Sequence, residues 1–393
     1  QSQVNQLIEG AVANAGSNAG DSAMLANVIT KGDKDSIGLM IDSIKTASEN
    51  NPNSNLSLQV LSSVADAKDA AIAAKGNDPI GSNTSYFDRS GQSQVNQLIE
   101  GAVANAGSNA GDSAMLANVI TKGDKDSIGL MIDSIKTASE NNPNSNLSLQ
   151  VLSSVADANA LSSTSLDTSA QSQVNQLIEG AVANAGSNAG DSAMLANVIT
   201  KSDPDTINML VVNIQTVDSQ KSNIGMIGDG SSSLSLQVLS SVADNNFENN
   251  KSFETSAQTQ VNKLIISAVA NAGSNAGDSG MLANVIMKSD AVMMDAMFSG
   301  IAANSGNSSN PDLGLNVLSS MATTVSANPE SFNTLQKDNV NKFITTTYSS
   351  DAPETDEDSA PETDEDSAPE TDEDSAPETD EDSAPETDED SAP

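Results

Sequence analysis

The chain has no cysteine, no histidine and no tryptophan among its 393 residues. Disulfides and thiolate metal sites are therefore excluded, and the redox compartment cannot be read from cysteine. The side chain that most often shuttles protons near neutral pH is missing too. Aromatic residues make up 2% of the chain. In the first three of the repeats described below, Tyr86, Phe87, Phe247 and Phe253 fall only between modules, so the cores there must be built from Leu, Ile, Val, Met and Ala. No apolar run approaches the length of a membrane-spanning helix. Basic residues are few: 16 against 54 acidic ones, a net charge of −38. The 43 residues from Asp351 carry 21 of those acids and no base, which leaves 33 acids against 16 bases, a net of −17, in the first 350. That balance opposes nucleic-acid binding, which needs a basic footprint, and docking on anionic lipid.

What is present is repetition. Gln1 to Ala67 recurs unchanged at Gln92 to Ala158, and its opening, QSQVNQLIEGAVANAGSNAGDSAMLANVITK, returns at Gln171 to Lys201. An altered fourth copy begins at Gln258, and the chain closes on the acidic phrase SAPETDED, repeated to the end. The starts are 91, 79 and 87 residues apart. The chain begins with Gln rather than Met, shows no signal peptide, and stops three residues into an octad, which suits a fragment of a longer array.

Within one module, Val4, Leu7, Ile8, Ala11 and Val12 form a single helical stripe. The glycines of AGSNAG offer a left-handed exit near Gly16. Asp21 or Ser22 is placed to cap a second helix carrying Met24, Leu25, Val28 and Ile29. KGD at 31–33 breaks it. Asp35 or Ser36 is placed to cap a third helix with Ile37, Met40, Ile41 and Ile44 on one face, and a loop follows around Pro52. In LSLQVLSSVADA, Leu56, Leu58 and Val60 alternate as in a strand, whereas Leu58, Leu61 and Val64 have helical spacing. Helix is preferred, because Asn55 can cap it and its neighbours are helical.

The expected fold is all-α: tandem small helical-bundle repeats followed by a disordered acidic tail. The repeats are 1–67, 92–158, 171–244 and 258–346, the last with an extra C-terminal helix around Val340, Phe343 and Ile344. The connectors are 68–91, 159–170 and 245–257, and the tail is 347–393. A lone module of this size has a thin core. Packing between successive modules or between chains would support it, the alternative being beads on a string. Each octad carries four acids, a proline and no large apolar group, so the tail is expected to stay extended by self-repulsion.

Candidate chemistry is sparse. Asp33/Asp35, Asp124/Asp126 and Asp203/Asp205 are close carboxylate pairs, but calcium requires six to eight oxygens, and turn plus helix cap is the preferred reading. AGSNAG at 15–20 lacks the lysine and spacing of a phosphate loop and reads as an inter-helix turn. Serines such as those in Leu61 to Val64 have no base beside them in sequence, and no enzyme is expected. Asn55, Asn83, Asn146, Asn250 and Asn307 each begin an N-x-S/T glycosylation motif. In the octads, Glu354, Asp356, Glu357, Asp358 and their later equivalents can hold cations loosely, and Thr355 and Ser359 suit acidophilic kinases. The plainer reading is a hydrated polyelectrolyte brush. Calcium, loosely held, is the only cofactor class these residues suggest.

Near-identical helical modules with phrases such as AVANAGSNAGDSAMLANVI and LSLQVLSSVADA, joined by Ser-rich connectors, resemble in style the repetitive modules of spider-silk proteins of aciniform and tubuliform type. Poly-Ala and GGX runs, and the terminal domain usual in such proteins, are missing. The acidic tail is foreign to their pattern. The resemblance implies a secreted, extracellular structural protein without catalytic residues, of silk, glue, egg-case or matrix type, partnered by itself or by other structural proteins. An acidic calcium- or mineral-binding matrix protein and a repetitive surface antigen are the alternatives.

Overall fold

A computed structural model describes residues 2–16, 18–51, 55–73, 89–107, 109–123, 125–142, 146–161, 168–186, 188–223, 232–273, 275–306, 310–327 and 334–348. Among these the fold is all-α, with seventeen helices and no strand. The first repeat contributes α1 (Ser2–Asn14), α2 (Ala19–Lys31), α3 (Lys34–Asn50) and α4 (Leu56–Ala73). The second contributes α5 (Arg89–Ala104), α6 (Ala110–Lys122), α7 (Lys125–Asn141) and α8 (Leu147–Leu161). The third has α9 (Thr168–Ala183), α10 (Ala189–Lys201), α11 (Pro204–Asn223) and α12 (Leu234–Asn249). The fourth has α13 (Thr255–Ala270), α14 (Ala276–Lys288), α15 (Ala291–Gly306) and α16 (Leu313–Ala327), followed by α17 (Thr334–Tyr348).

The start of α2 is set by a reciprocal cap. Asn18 accepts the N–H of Asp21 at 2.9 Å, while the Asp21 carboxylate accepts the N–H of Gly16 at 2.7 Å and the Asn18 amide at 2.8 Å. The same arrangement recurs at Asn109, Asn188 and Asn275. The cap is thus Asn18, not Asp21 or Ser22. The turn also closes without a left-handed glycine, since Gly16 is not at positive φ. A carboxylate three residues into the helix satisfies the preceding backbone instead. One turn later, Asp33 rather than Asp35 or Ser36 caps α3, accepting the N–H groups of Asp35 and Ser36 at 3.1 Å each. The fourth segment is a helix, with Leu56, Leu58, Val60, Leu61 and Val64 all buried. Asn55, at φ 35°, caps it through the Leu58 N–H.

The repeats stack. Odd-numbered helices lie side by side in one layer, from α1 against α3 through to α13 against α15. Even-numbered helices form a second layer, from α2 against α4 to α14 against α16. At each passage between repeats, α4, α8 or α12 packs on both of the next repeat's first two helices. The result is a two-layered helical solenoid with one contiguous apolar core, and residues Gln1–Ser350 form a single compact unit. Each thin module is completed by its neighbour. Helices also extend into the stretches read as connectors. α4 reaches Ala73, α12 reaches Asn249 with Phe247 inside it, and α13 begins at Thr255. Only 250–254 separates the last two repeats, and Asn250, at φ 50°, ends α12 in the left-handed conformation. The extra C-terminal helix is present as α17, with Phe343 fully buried against Phe298, ring centroids 5.2 Å apart.

Candidate functional site

The motifs singled out for chemistry are absorbed by the fold. Asp33 and Asp203 are helix caps, each accepting two backbone N–H groups. The backbone N–H of Ser36, followed by its hydroxyl, holds the Asp33 carboxyl below its ordinary value of 3.8. Asp124 and the octads, including Glu354, Asp356, Glu357, Asp358, Thr355 and Ser359, lie outside the described residues. No group of three or more acidic side chains poised to hold a metal ion occurs among the described residues. The serines of Leu61 to Val64 are engaged structurally. Ser63 donates to the Gln59 carbonyl at 3.0 Å, and Ser62 accepts from Asn118 at 2.8 Å.

Of the five glycosylation motifs, Asn55 and Asn146 are buried, their amides donating to the Ala102 and Ala181 carbonyls of the following repeat. A glycan on either nitrogen would be incompatible with this packing. Asn250 is exposed, and Asn83 and Asn307 lie outside the described residues.

What the structure does build repeatedly is a junction. Asn118 on α6 donates to Ser62 Oγ at 2.8 Å and Asp66 at 3.0 Å on α4, and Lys122 pairs with the same Asp66 at 2.5 Å. The next junction repeats this with Asn197 to Ser153 and Asp157, each at 2.9 Å, and a Lys201–Asp157 ion pair. The third has Asn284 to Ser240 at 3.0 Å and to Asp244 at 2.8 Å, with Lys288 and Asp244 2.7 Å apart. In the other layer, Gln94 and Gln173 donate to the Lys34 and Lys125 carbonyls at 3.0 and 2.9 Å. They approach across Gly38 and Gly129, where an added Cβ would lie 2.6 and 2.7 Å from the glutamine nitrogen. The third junction replaces this contact with Lys263 on Asn208, 2.9 Å apart. Because the carboxylates are about half exposed, the ion pairs contribute little, on the order of 0–1 kcal/mol each. Apolar burial carries the junction.

The equivalent apolar positions are exposed on α1 and α2 and on α16. In the second repeat, Val95, Leu98 and Val119 are buried under the first repeat, as their counterparts are in the third and fourth. In the first repeat Leu7 is 72% and Met24 64% exposed, with Val4 and Val28 also open. These side chains border a groove of about 460 Å³ between α1 and α2. Leu58, Leu149 and Leu236 are fully buried in the first three repeats, whereas the matching Leu315 is 58% exposed, and Ala322 on the same stripe is exposed too. Thr323 stands where the earlier repeats carry Asp66, Asp157 and Asp244. The entry and exit surfaces of the stack were not legible as an interface in the sequence. The signal that could have found them is the recurrence of Asn27, Lys31, Ser62 and Asp66 at fixed positions in successive copies.

A second groove lies at matching positions of the first two repeats. One of about 650 Å³ between α1 and α3 has Glu9 and Asp42 on its walls, and one of about 330 Å³ between α5 and α7 has Glu100 and Asp133. The corresponding pairs are Glu179 with Val212 in the third repeat and Ile266 with Ser299 in the fourth, so no acidic site is maintained along the array. No helix among the described residues is long and apolar enough to cross a membrane.

No family model matches the chain and no curated protein matches it. Among solved structures, that of the TSC2 N-terminus is similar at a TM-score of 0.26 and 13% identity, covering 85% of this chain and 96% of that one. A homology model of the full-length AP-3 complex in an intermediate open conformation is similar at a TM-score of 0.21 and 13% identity, covering 84% of this chain and 71% of that one. Likeness at this level assigns no function.

Proposed function

We propose that this chain is a structural protein whose working part is the stack itself: a rod of helical modules, secreted and extracellular, of silk, glue, egg-case or matrix type. The observation that carries the reading is the junction, made three times with the same kind of side chains. A surface that each copy repeats multiplies length and stiffness, whereas a catalytic site needs unique groups in one place. On this reading the chain is not an enzyme and needs no cofactor, and its partners are further copies of itself or other structural proteins. The acidic tail supplies charge and hydration.

One sequence observation favours a second reading, a calcium- or mineral-binding matrix protein: 21 acids within the last 43 residues. Closely spaced carboxylates outside a dedicated calcium-loop motif would hold calcium weakly, on the order of 10⁻⁴–10⁻³ M.

The test of the first reading is to raise antibodies against residues 1–350 and stain source tissue and its secretions. Signal in an extracellular fibre, glue or matrix supports it. Signal confined to the cell interior overturns it.

A further inference from the structure

We propose that Asn250 is an N-glycan acceptor, displayed by the short segment that joins the third and fourth repeats. The proposal rests on the extracellular reading above and gives that protein a modification site. An N-x-S motif serves as an acceptor where the asparagine amide and the hydroxyl two residues on can both be reached, that is, in a surface loop. The fold separates the three described motifs on this criterion. At Asn55 both groups are taken. The amide nitrogen donates to the Ala102 carbonyl at 3.4 Å, the amide oxygen accepts the Leu58 N–H at 3.3 Å, and the Ser57 hydroxyl is buried 2.8 Å from that of Ser48. Asn146 and Ser148 repeat the arrangement against Ala181, Leu149 and Ser139.

At Asn250 the reverse holds. Asn250, Lys251 and Ser252 are all exposed. Neither the Asn250 amide nor the Ser252 hydroxyl has a hydrogen-bond partner among the described residues. The backbone explains the display. α12 ends at Asn249, and Asn250 takes the left-handed conformation at φ 50° and ψ 46°. Its N–H and that of Lys251 close the helix on the Phe247 and Asn246 carbonyls at 3.3 and 2.9 Å. After glycine, asparagine is the residue best suited to such a helix end. Residues 251–254 are not helical, and α13 begins only at Thr255. The acceptor is therefore held on a closed helix end, followed by backbone that a transferase can engage, and a sugar added there displaces no packed group. The co-substrate is an oligosaccharide carried on a lipid diphosphate. The Asn250 amide nitrogen attacks its anomeric carbon. A C–N bond forms as the C–O bond to the diphosphate breaks, the electron pair leaves with the lipid diphosphate, and the transferase takes up one amide proton.

The test is expression of the full-length chain behind a cleavable secretion leader in eukaryotic cells, followed by recovery of the secreted protein. A glycoamidase acting in heavy-oxygen water converts each glycosylated asparagine into labelled aspartate, which peptide mass spectrometry reads site by site. Label is expected at Asn250 and absent at Asn55 and Asn146. Ser252→Ala removes only the hydroxyl and should abolish the label at Asn250, whereas Ser252→Thr should retain it. Position 252 is exposed, so the helical circular dichroism of both variants should match that of the wild type. A secreted wild-type chain without label at Asn250 would overturn the proposal, and so would equal label in Ser252→Ala. Label at Asn55 or Asn146 as strong as at Asn250, in a chain that keeps its helical signal, would overturn the structural argument for choosing Asn250. The leader imposes the secretory route, so a blank at Asn250 leaves the extracellular reading standing. Intracellular staining of source tissue would instead remove that reading and leave the measured acceptor chemistry of Asn250 intact.

Discussion

Residues 1–67 and 92–158 are the same sequence in two places, and the fold treats them differently. Leu7 is largely open to solvent, whereas Leu98, its exact counterpart in sequence, is fully enclosed. Local features do not change between the copies. Asn18 and Asn109 both cap with a 2.9 Å bond to an aspartate N–H, and Ser48 and Ser139 both bond the following helix's serine at 2.8 Å. What differs is the neighbour. Caps and turns are thus properties of the repeat, and completion of the apolar core is a property of the array.

This separation can be broken most forcefully at the paired leucines. Leu98→Ala should cost about 2–5 kcal/mol, the usual range for emptying a buried leucine site. Leu7→Ala should stay within about 0.5 kcal/mol, as exposed positions do. Denaturant unfolding of the full-length chain reads both, and equal losses would mean that the two copies have the same surroundings. A smaller effect should be common to both copies. Asn18→Ala and Asn109→Ala each remove a cap and should each cost about 1 kcal/mol. A marked difference between them would show that stacking reaches into the local turn.

Smaller still is the polar ladder. Asp66→Ala removes the acceptor of Asn118 and Lys122 from a half-exposed site and should cost no more than about 1 kcal/mol, an effect that shrinks as salt is raised. A loss rivalling Leu98→Ala would move the main source of junction stability from apolar burial to charge. The least effect expected is that of acid on the Asp33 cap. Its carboxyl is held below the ordinary value of 3.8 when folded, so its contribution is present above that value and is lost as pH falls through the lower folded one. In Asp33→Asn, which still caps, this part of the acid sensitivity should vanish, as followed by helical circular dichroism on acid titration.

Much of the fold was readable residue by residue. The stripe from Val4 to Val12 and the face from Ile37 to Ile44 are helical periodicities, and both are helices. Asn55 before a Leu-rich run was enough to prefer helix over strand. The caps were misplaced by a turn, because Asp21 and Asp35 looked like first residues when the bonds run through Asn18 and Asp33. In both places a second polar residue three positions on, Asp21 or Ser36, marks the box. The stacking could not be read from one module, since the same letters at Leu7 and Leu98 describe an exposed and a buried side chain. Only the neighbouring copy decides, and that is information of order along the chain rather than of composition.

The absence of cysteine allows the central claim, that identical modules are completed by stacking, to be probed directly. Leu7→Cys and Leu98→Cys each introduce a single thiol into the full-length chain at equivalent positions of identical sequence. The measurement is the rate of thiol alkylation under native conditions, referred to the rate of each variant in denaturant. Stacking predicts that the thiol at position 7 reacts close to its unfolded rate, and that the thiol at position 98, reachable only by local opening, reacts at least about a hundredfold more slowly. Equal native rates at the two positions would mean independent beads on a string, and would contradict the continuous solenoid.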